Sequence, residues 1–250
     1  MLAAMAIRKA VLLAAGRGTR LGALTASTPK PLLVVAGRPL IAWIAGGLMA
    51  AGIRDIAVVT GYMAQQMERW CRGFEAANPG LKITAIRQAE LNGTAGAMLA
   101  AREWLGGVER FIFGWGDILM DPQNYPRFCK AAEVENHDLL MAVNEMEDPW
   151  RGAAVYVDSE KMVTRLVEKP PRGSSTTRWN NAGLFASSSI LFRYLERVGR
   201  SARGELELPQ AIAAMIGAGC AVRAFAVSGF WSDVGTPEDL EAARRQFAQS

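Results

Sequence analysis

Apolar and polar residues alternate along the chain in two rhythms. Short apolar runs, Lys9–Ala15 (KAVLLAA), Asp55–Thr60 (DIAVVT), Lys82–Arg87 (KITAIR) and Arg110–Phe113 (RFIF), are bounded by glycine or polar residues and have the length of buried strands. Longer stretches with helical patterning lie between them. Residues 39–51 (PLIAWIAGGLMAA) are apolar almost all round and stop at Gly52, as a buried helix would. Residues 63–76 read as an amphipathic helix, and residues 94–105 as another, stopped by Gly106-Gly107. Strand, helix, strand, helix in this order predicts a parallel sheet with helices on both faces and right-handed crossovers.

The second half is less regular. Residues 137–145 (HDLLMAVNE) predict a further central strand, and Ala153–Val157 and Met162–Val167 the strands of a smaller antiparallel region. Residues 181–186 (NAGLFA) return to the main sheet. Leu191–Val198 and residues 207–217 read as helices, Ala221–Val227 as a strand and Trp231–Gly235 as a loop. Pro237 then opens a last helix with Thr236 as its N-cap. Residues 173–177 (GSSTT) form a flexible polar surface loop. With no internal repeat and no linker, residues 1–250 are expected to form one α/β domain.

Composition narrows the function. Half of the 250 residues are hydrophobic, enough to build a sizeable core. The net charge is +4, but no basic block of five or six residues exists, so no nucleic acid partner is expected. Cys71, Cys129 and Cys220 are few, odd in number and far apart, which fits reduced thiols of a cytoplasmic protein better than disulfides or a zinc site. The N-terminus lacks the order of a signal peptide, and no apolar run reaches the roughly 18 residues of a membrane span. His137 is the only histidine, which excludes a multi-histidine metal centre and argues against a Ser-His-Asp triad.

The first strand runs into Gly16-Arg17-Gly18-Thr19-Arg20 at the carboxyl edge of the expected sheet, where α/β sheets bind ligands. Glycines there let backbone N–H groups approach phosphate, and Arg17 and Arg20 can neutralise charge. A plain tight turn is the competing reading. A dinucleotide loop fits poorly: Leu21 stands where its third glycine belongs, and Thr60-Gly61-Tyr62 offers no acid for a ribose. A Walker A loop is excluded, since no Gly-Lys-Ser/Thr follows. Lys30 lies between Pro29 and Pro31, which predicts a stiff, extended segment and a positioned charge.

LAAGRGTRL followed by TPKPL resembles the signature of sugar-1-phosphate nucleotidyltransferases. Further motifs of that family follow in order: Gln88–Gly96 (QAELNGTAG), Gly116-Asp117, Arg151-Gly152-Ala153, Glu168-Lys169-Pro170, Asn181-Ala182-Gly183 and Trp231–Thr236 (WSDVGT). The resemblance implies a Rossmann-like α/β/α sandwich with a central mixed, mostly parallel sheet, of the nucleotidyltransferase or GT-A-like kind. It implies transfer of a nucleotidyl group from a nucleoside triphosphate to a sugar 1-phosphate. Ala14, Ala15, Gly16, Gly18 and Thr19 would then hold the nucleotide, with Arg20 on the triphosphate and Lys30 near the α-phosphate. Gln88, Gly93 and Thr94 would meet the base. The Gln88 amide suits a uracil or thymine edge, although guanylyltransferases carry a similar Gly-Thr-Ala-Gly. Gly152, Glu168, Lys169 and Asn181 would meet the sugar phosphate, with Asn180 the weaker candidate. Asp117 and Asp233 would hold Mg²⁺, a hard cation satisfied by one or two carboxylates, phosphate oxygens and water.

The resemblance is to the short bacterial branch with mannose-, heptose- and N-acetylmuramate-1-phosphate enzymes, for which no hexapeptide β-helix is expected after residue 243. A monomer and a homodimer fit equally well. A cytidylyltransferase acting on phosphocholine or a phosphonate keeps the same fold, but Lys169 favours a phosphate beside a sugar. A non-catalytic scaffold would have lost Arg20, Lys30, Asp117 or Asp233, and all four are present.

Overall fold

Successive residues of the first strand face two different cores. Ala10, Leu12 and Ala14 join one, while Val11, Leu13 and Ala15 join the other. The same alternation recurs in Ile56/Ala57/Val58/Val59 and in Phe111/Ile112/Phe113. Strands buried on both faces read as unbroken apolar runs, which is why they stand out in the sequence. The computed structural model describes residues 6–248 apart from Ala202.

In chain order the first half contains β1 (Lys9–Ala14), the hairpin strands β2 (Val34–Val35) and β3 (Arg38–Pro39), α1 (Leu40–Ala50), β4 (Asp55–Thr60), α2 (Ala64–Ala77) and β5 (Lys82–Arg87). Then come α3 (Thr94–Ala100), α4 (Arg102–Leu105), β6 (Phe111–Trp115), β7 (Leu119–Met120) and α5 (Asn124–Val134). The second half contains β8 (Leu139–Glu145), β9 (Ala153–Val157), β10 (Val163–Glu168), β11 (Trp179–Ser187), α6 (Ile190–Leu195), α7 (Leu208–Gly217), β12 (Val222–Ala226), β13 (Trp231–Ser232) and α8 (Pro237–Phe247).

Nine strands form one mixed sheet along β10-β9-β11-β6-β1-β4-β5, with β8 on the other side of β11 and β12 beyond it. All but β10 and β11 run in one sense. Helices α1, α2, α5 and α8 cover one face; α3, α4, α6 and α7 cover the other. This is the expected α/β/α sandwich. A fully buried Leu, Ile or Phe contributes roughly 1.5–3 kcal/mol, so these two cores supply the main stabilisation.

Several expectations need correction. β9 and β10 are antiparallel but continue the main sheet instead of forming a separate region. The helix over 94–105 breaks at Ala101, whose N–H turns back to the Met98 carbonyl at 3.1 Å. Trp231–Ser232 is not loop: it pairs with Met120 and Leu119 as β13 and β7. Lys30 opens a 3-10 turn, Lys30–Leu32, and only Pro29 before it is extended. Helix α5 was not anticipated. The Thr236 cap was, and it forms a capping box: Thr236 Oγ1 accepts the Asp239 N–H at 3.2 Å while Asp239 Oδ2 accepts the Thr236 N–H at 2.9 Å. All three cysteines are unpaired.

Strand β11 opens the sheet. Its Leu184–Ser187 half pairs with β6, whereas Asn180 pairs with Ala154 of β9 on the same edge. The ladder with β8 is irregular between Asn181 and Phe185. Gly183 lies in that interval at φ +80°, where an added Cβ would sit 2.4 Å from the Trp115 ring. A cleft therefore begins where β6 ends, at the carboxyl edge of the parallel strands.

Candidate active site

The loops after β1 and β6 lie side by side because their strands are paired, and the Gly116 N–H donates to the Leu13 carbonyl at 2.9 Å. This places Asp117 beside the glycine-rich loop. The Gly18 position has no room for a side chain: a Cβ there would lie 2.9 Å from Lys30 Cβ. Lys30 thus runs against the loop backbone and is only 5% exposed. A lysine is almost never this buried without partners. Its Nζ lies 2.7 Å from Asp117 Oδ2 and donates to the Asp233 carbonyl at 2.6 Å.

Asp233 arrives from far along the chain. The β7–β13 pairing ties its loop to the segment after Asp117. Asn124, fully buried at the start of α5, reinforces the tie. Its Nδ2 donates to the Ser228 carbonyl at 2.8 Å and its Oδ1 accepts the Ser228 N–H at 3.0 Å. Arg20 donates to Asp233 Oδ2 at 3.4 Å, with its guanidinium against Gly235. Val234 follows at φ +37°, a costly conformation for a β-branched residue that tends to mark functional loops.

The opposite wall carries Gly152, Glu168, Lys169 and Asn181. Lys169 Nζ lies 3.8 Å from Glu168 Oε1, and the Lys169 N–H donates to the Gly152 carbonyl at 2.8 Å. Lys169 is the second strained non-glycine residue of the site, at φ +44°. Burial pushes the Glu168 carboxyl up to about 7; Lys169 opposes this shift and Glu207 adds to it. Asn181 Oδ1 accepts the Gly183 N–H at 3.0 Å. Asn180 lines the same cleft and is more buried: it accepts the Ala153 N–H at 3.2 Å and donates to Asn144 Oδ1 at 2.9 Å.

These groups share one cleft of about 300 Å³, with Arg20, Lys30, Asp117 and Asp233 facing Glu168, Lys169 and Asn181. Thr94 also lines it, and its Oγ1 accepts the Leu208 N–H at 2.9 Å. Ala14 and Ala15 are buried at the end of β1, while Gly16, Gly18 and Thr19 form the loop above. Gln88 and Gly93 are not on the wall of this cleft. Gln88 borders a neighbouring hollow of about 590 Å³, and its Nε2 donates to Asn92 Oδ1 at 2.9 Å and the Gly93 carbonyl at 3.1 Å. Gly93, at φ +108°, packs against the Leu206 backbone, where a Cβ would lie 2.4 Å from the Leu206 carbonyl oxygen.

Sequence reasoning missed part of the wall. Trp115, Ile118, Arg203, Glu205, Glu207, Pro209 and the Trp231 ring all line the cleft. Arg203 grips Glu207 Oε1 through Nε at 3.1 Å and Nη2 at 2.7 Å. The run Arg203-Gly204-Glu205-Leu206-Glu207 just before a helix was the available signal. Among the described residues, no three His, Cys, Asp or Glu side chains cluster as metal ligands. Asp117 and Asp233 are the carboxylates that face the cleft beside the glycine-rich loop.

An α/β sandwich with a cleft at the carboxyl edge where Arg20, Lys30 and Lys169 converge, built around a Gly-x-Gly loop and a paired, buried lysine, defines a phosphate-handling class. The chain belongs to the nucleotidyl transferase family, whose sequence model matches residues 9–250. It is similar to the low-salt glycan biosynthesis nucleotidyltransferase Agl11 of Haloferax volcanii, 31% identical over 95% of this chain and 65% of that one. It is also similar to a glucose-1-phosphate thymidylyltransferase of Streptomyces griseus, 32% identical over 95% of this chain and 65% of the relative. The chain thus spans about two thirds of the length of both. The structure of a UDP-glucose pyrophosphorylase complexed with UDP-glucose shares the fold, with a TM-score of 0.86 at 20% identity over 97% of this chain and 99% of that one.

Proposed function

We propose that the protein transfers a nucleotidyl group from a nucleoside triphosphate to a sugar 1-phosphate, releasing pyrophosphate, with Mg²⁺ as cofactor. One observation carries the reading. Buried Lys30, held between Asp117 and Asp233, faces Lys169 and Glu168 across a single cleft. Two anionic substrates need such converging cations before they can meet.

In this reading a phosphate oxygen of the sugar 1-phosphate attacks the α-phosphorus in line. A new P–O bond forms, the bond to the β-phosphate oxygen breaks, and pyrophosphate carries away the electron pair. The nucleophile is already anionic near neutral pH, so no general base is required, in keeping with a chain whose one histidine is buried elsewhere. Lys30 sets positive charge at the α-phosphate from a fixed position. Arg20, lying on Gly235 at the rim, meets the outgoing phosphates. Lys169 draws the sugar phosphate to the opposite wall, and Glu168 accepts from ring hydroxyls.

The donor set fits a hard divalent cation: Asp117 and Asp233 offer carboxylate oxygens beside the phosphate loop, and substrate oxygens and water can complete the shell. Bound there, Mg²⁺ would neutralise charge on the triphosphate and orient it. Among the described residues no helix is long and apolar enough to cross a membrane. The three unpaired cysteines support a cytoplasmic setting.

A matrix of five nucleoside triphosphates against several sugar 1-phosphates, scored by pyrophosphate release with Mg²⁺, tests the reading. Release is expected with at least one pair and is abolished by a chelator. Release from no pair contradicts it.

A further inference from the structure

We infer that the sugar-side wall selects against sugar 1-phosphates bearing a second anionic group, and admits those whose ring carries only hydroxyl, acylamino or amino substituents. The inference rests on the sugar 1-phosphate reading and goes beyond it to the substrate class.

The wall holds three carboxylates, Glu168, Glu205 and Glu207, and two cations, Lys169 and Arg203. Lys169 is committed to the 1-phosphate. Arg203 is committed to Glu207, using Nε and Nη2 on one carboxylate oxygen. What remains to face the ring is net negative. Glu207 is 7% exposed. Burial alone would raise its pKa, but the Ser201 hydroxyl and the Arg203 guanidinium outweigh burial and hold it below the usual carboxylate range, so it stays charged.

The wall is also rigid. The Leu206 N–H donates to the Asn92 carbonyl at 2.6 Å, and the Leu206 carbonyl accepts the Ala95 N–H at 2.9 Å. The braced backbone keeps Glu205 and Glu207 on the wall, and Arg203 holds the buried Glu207 carboxylate in place while Glu205 stands exposed beside it. They accept hydrogen bonds from hydroxyl and N–H groups, and they repel a uronate or a second phosphate. Like charges brought together in a partly desolvated site repel, and discrimination on the order of 100-fold is expected.

The experiment measures binding and turnover separately. Quenching of cleft tryptophan fluorescence, from Trp115 and Trp231, reports binding at pH 8 of a hexose 1-phosphate, its uronic acid counterpart and its 1,6-bisphosphate. Pyrophosphate release with the triphosphate reports catalysis. The inference expects the neutral sugar to bind about 100-fold more tightly than either anionic analogue. Glu205→Gln and the double variant Glu205→Gln/Glu207→Gln should narrow that ratio at least about tenfold, whereas Arg203→Gln should widen it. Simple damage to the site would not move these variants in opposite directions. Anionic analogues that bind wild type within about threefold of the neutral sugar, or variants that leave the ratio unchanged, overturn the inference. Tight, selective binding without turnover would sink the proposed transfer and leave this selectivity standing.

Discussion

Lys30 Nζ and Asp117 Oδ2 are 2.7 Å apart, with the ammonium almost wholly buried. The pair fixes a cation whose position does not depend on ligand. Truncating Lys30 removes a preorganised charge from the reacting phosphate and leaves the Asp117 carboxylate unpaired. Lys30→Met should therefore lower kcat on the order of 100-fold or more, with a much smaller change in KM for the sugar 1-phosphate. Steady-state kinetics check this. A variant that raises only KM would make Lys30 a binding group and nothing more.

Gly235 and Arg20 give a gentler test. A Cβ at Gly235 would come within 2.9 Å of the Arg20 guanidinium, the free end of a flexible side chain. Gly235→Ala should fold with nearly unchanged Tm while displacing Arg20, so KM for the triphosphate rises. Arg20→Ala should produce the same defect, and the two changes should be far from additive in a double-mutant cycle. Full additivity would show that Gly235 acts elsewhere.

At Gly93 the cost falls on stability. A methyl there meets the Leu206 backbone, not a movable side chain, and the residue sits at φ +108°. Gly93→Ala should destabilise the fold by at least about 2 kcal/mol, a Tm loss of roughly 4–8 °C, by breaking the ties between the loop at Asn92–Ala95 and the strand-like segment at Leu206. Calorimetry measures this directly, and an unchanged Tm would contradict the packing described.

Stability should respond to pH through two groups of opposite sign. Burial, and then the Arg110 guanidinium, push the His137 pKa down from 6.5 to about 4. A depressed pKa means that the contribution is present above pH 6.5 and is lost as pH falls through about 4. Glu168 is raised from 4.5 to about 7, so its contribution is present below pH 4.5 and lost as pH rises through about 7. His137→Gln should flatten the loss of Tm on the acid side of the profile, and Glu168→Gln the decline between about pH 4.5 and 7. A profile unchanged in both variants would contradict both assignments.

Much of this was legible in the residues. The bounds of β4 and β9 follow from apolar runs that the sheet buries, those of β5 from the same kind of run although it lies half-exposed at the sheet edge and not buried as its pattern suggests, and Thr236 announces its helix by capping chemistry. Lys30, Asp117, Glu168, Lys169, Asn181 and Asp233 each lie in a short motif legible in the sequence, and the fold brings them into one cleft. What escaped had weaker local signals. Helix α5 carries Tyr125, Phe128, Cys129 and Ala132 at helical spacing, but Asp121-Pro122 and Pro126 break the pattern. The pairing of Trp231–Ser232 with Leu119–Met120 is too short for any periodicity to show. Arg203, Glu205 and Glu207 look like an ordinary charged run until tertiary contacts turn them toward the sugar wall. Gln88, assigned to the base and not to the sugar, borders the hollow next to its own loop, with its amide on Asn92 and Gly93.

The most direct measurement follows the oxygen atoms. With the terminal phosphate oxygens of the sugar 1-phosphate labelled with ¹⁸O, attack on the α-phosphorus predicts that every label stays in the nucleotide sugar, one at the bridge between its phosphorus atoms, and that pyrophosphate is unlabelled. Lys30→Met and Asp117→Asn should lose this product together. Label released in inorganic phosphate or pyrophosphate would contradict the reaction assigned to this cleft.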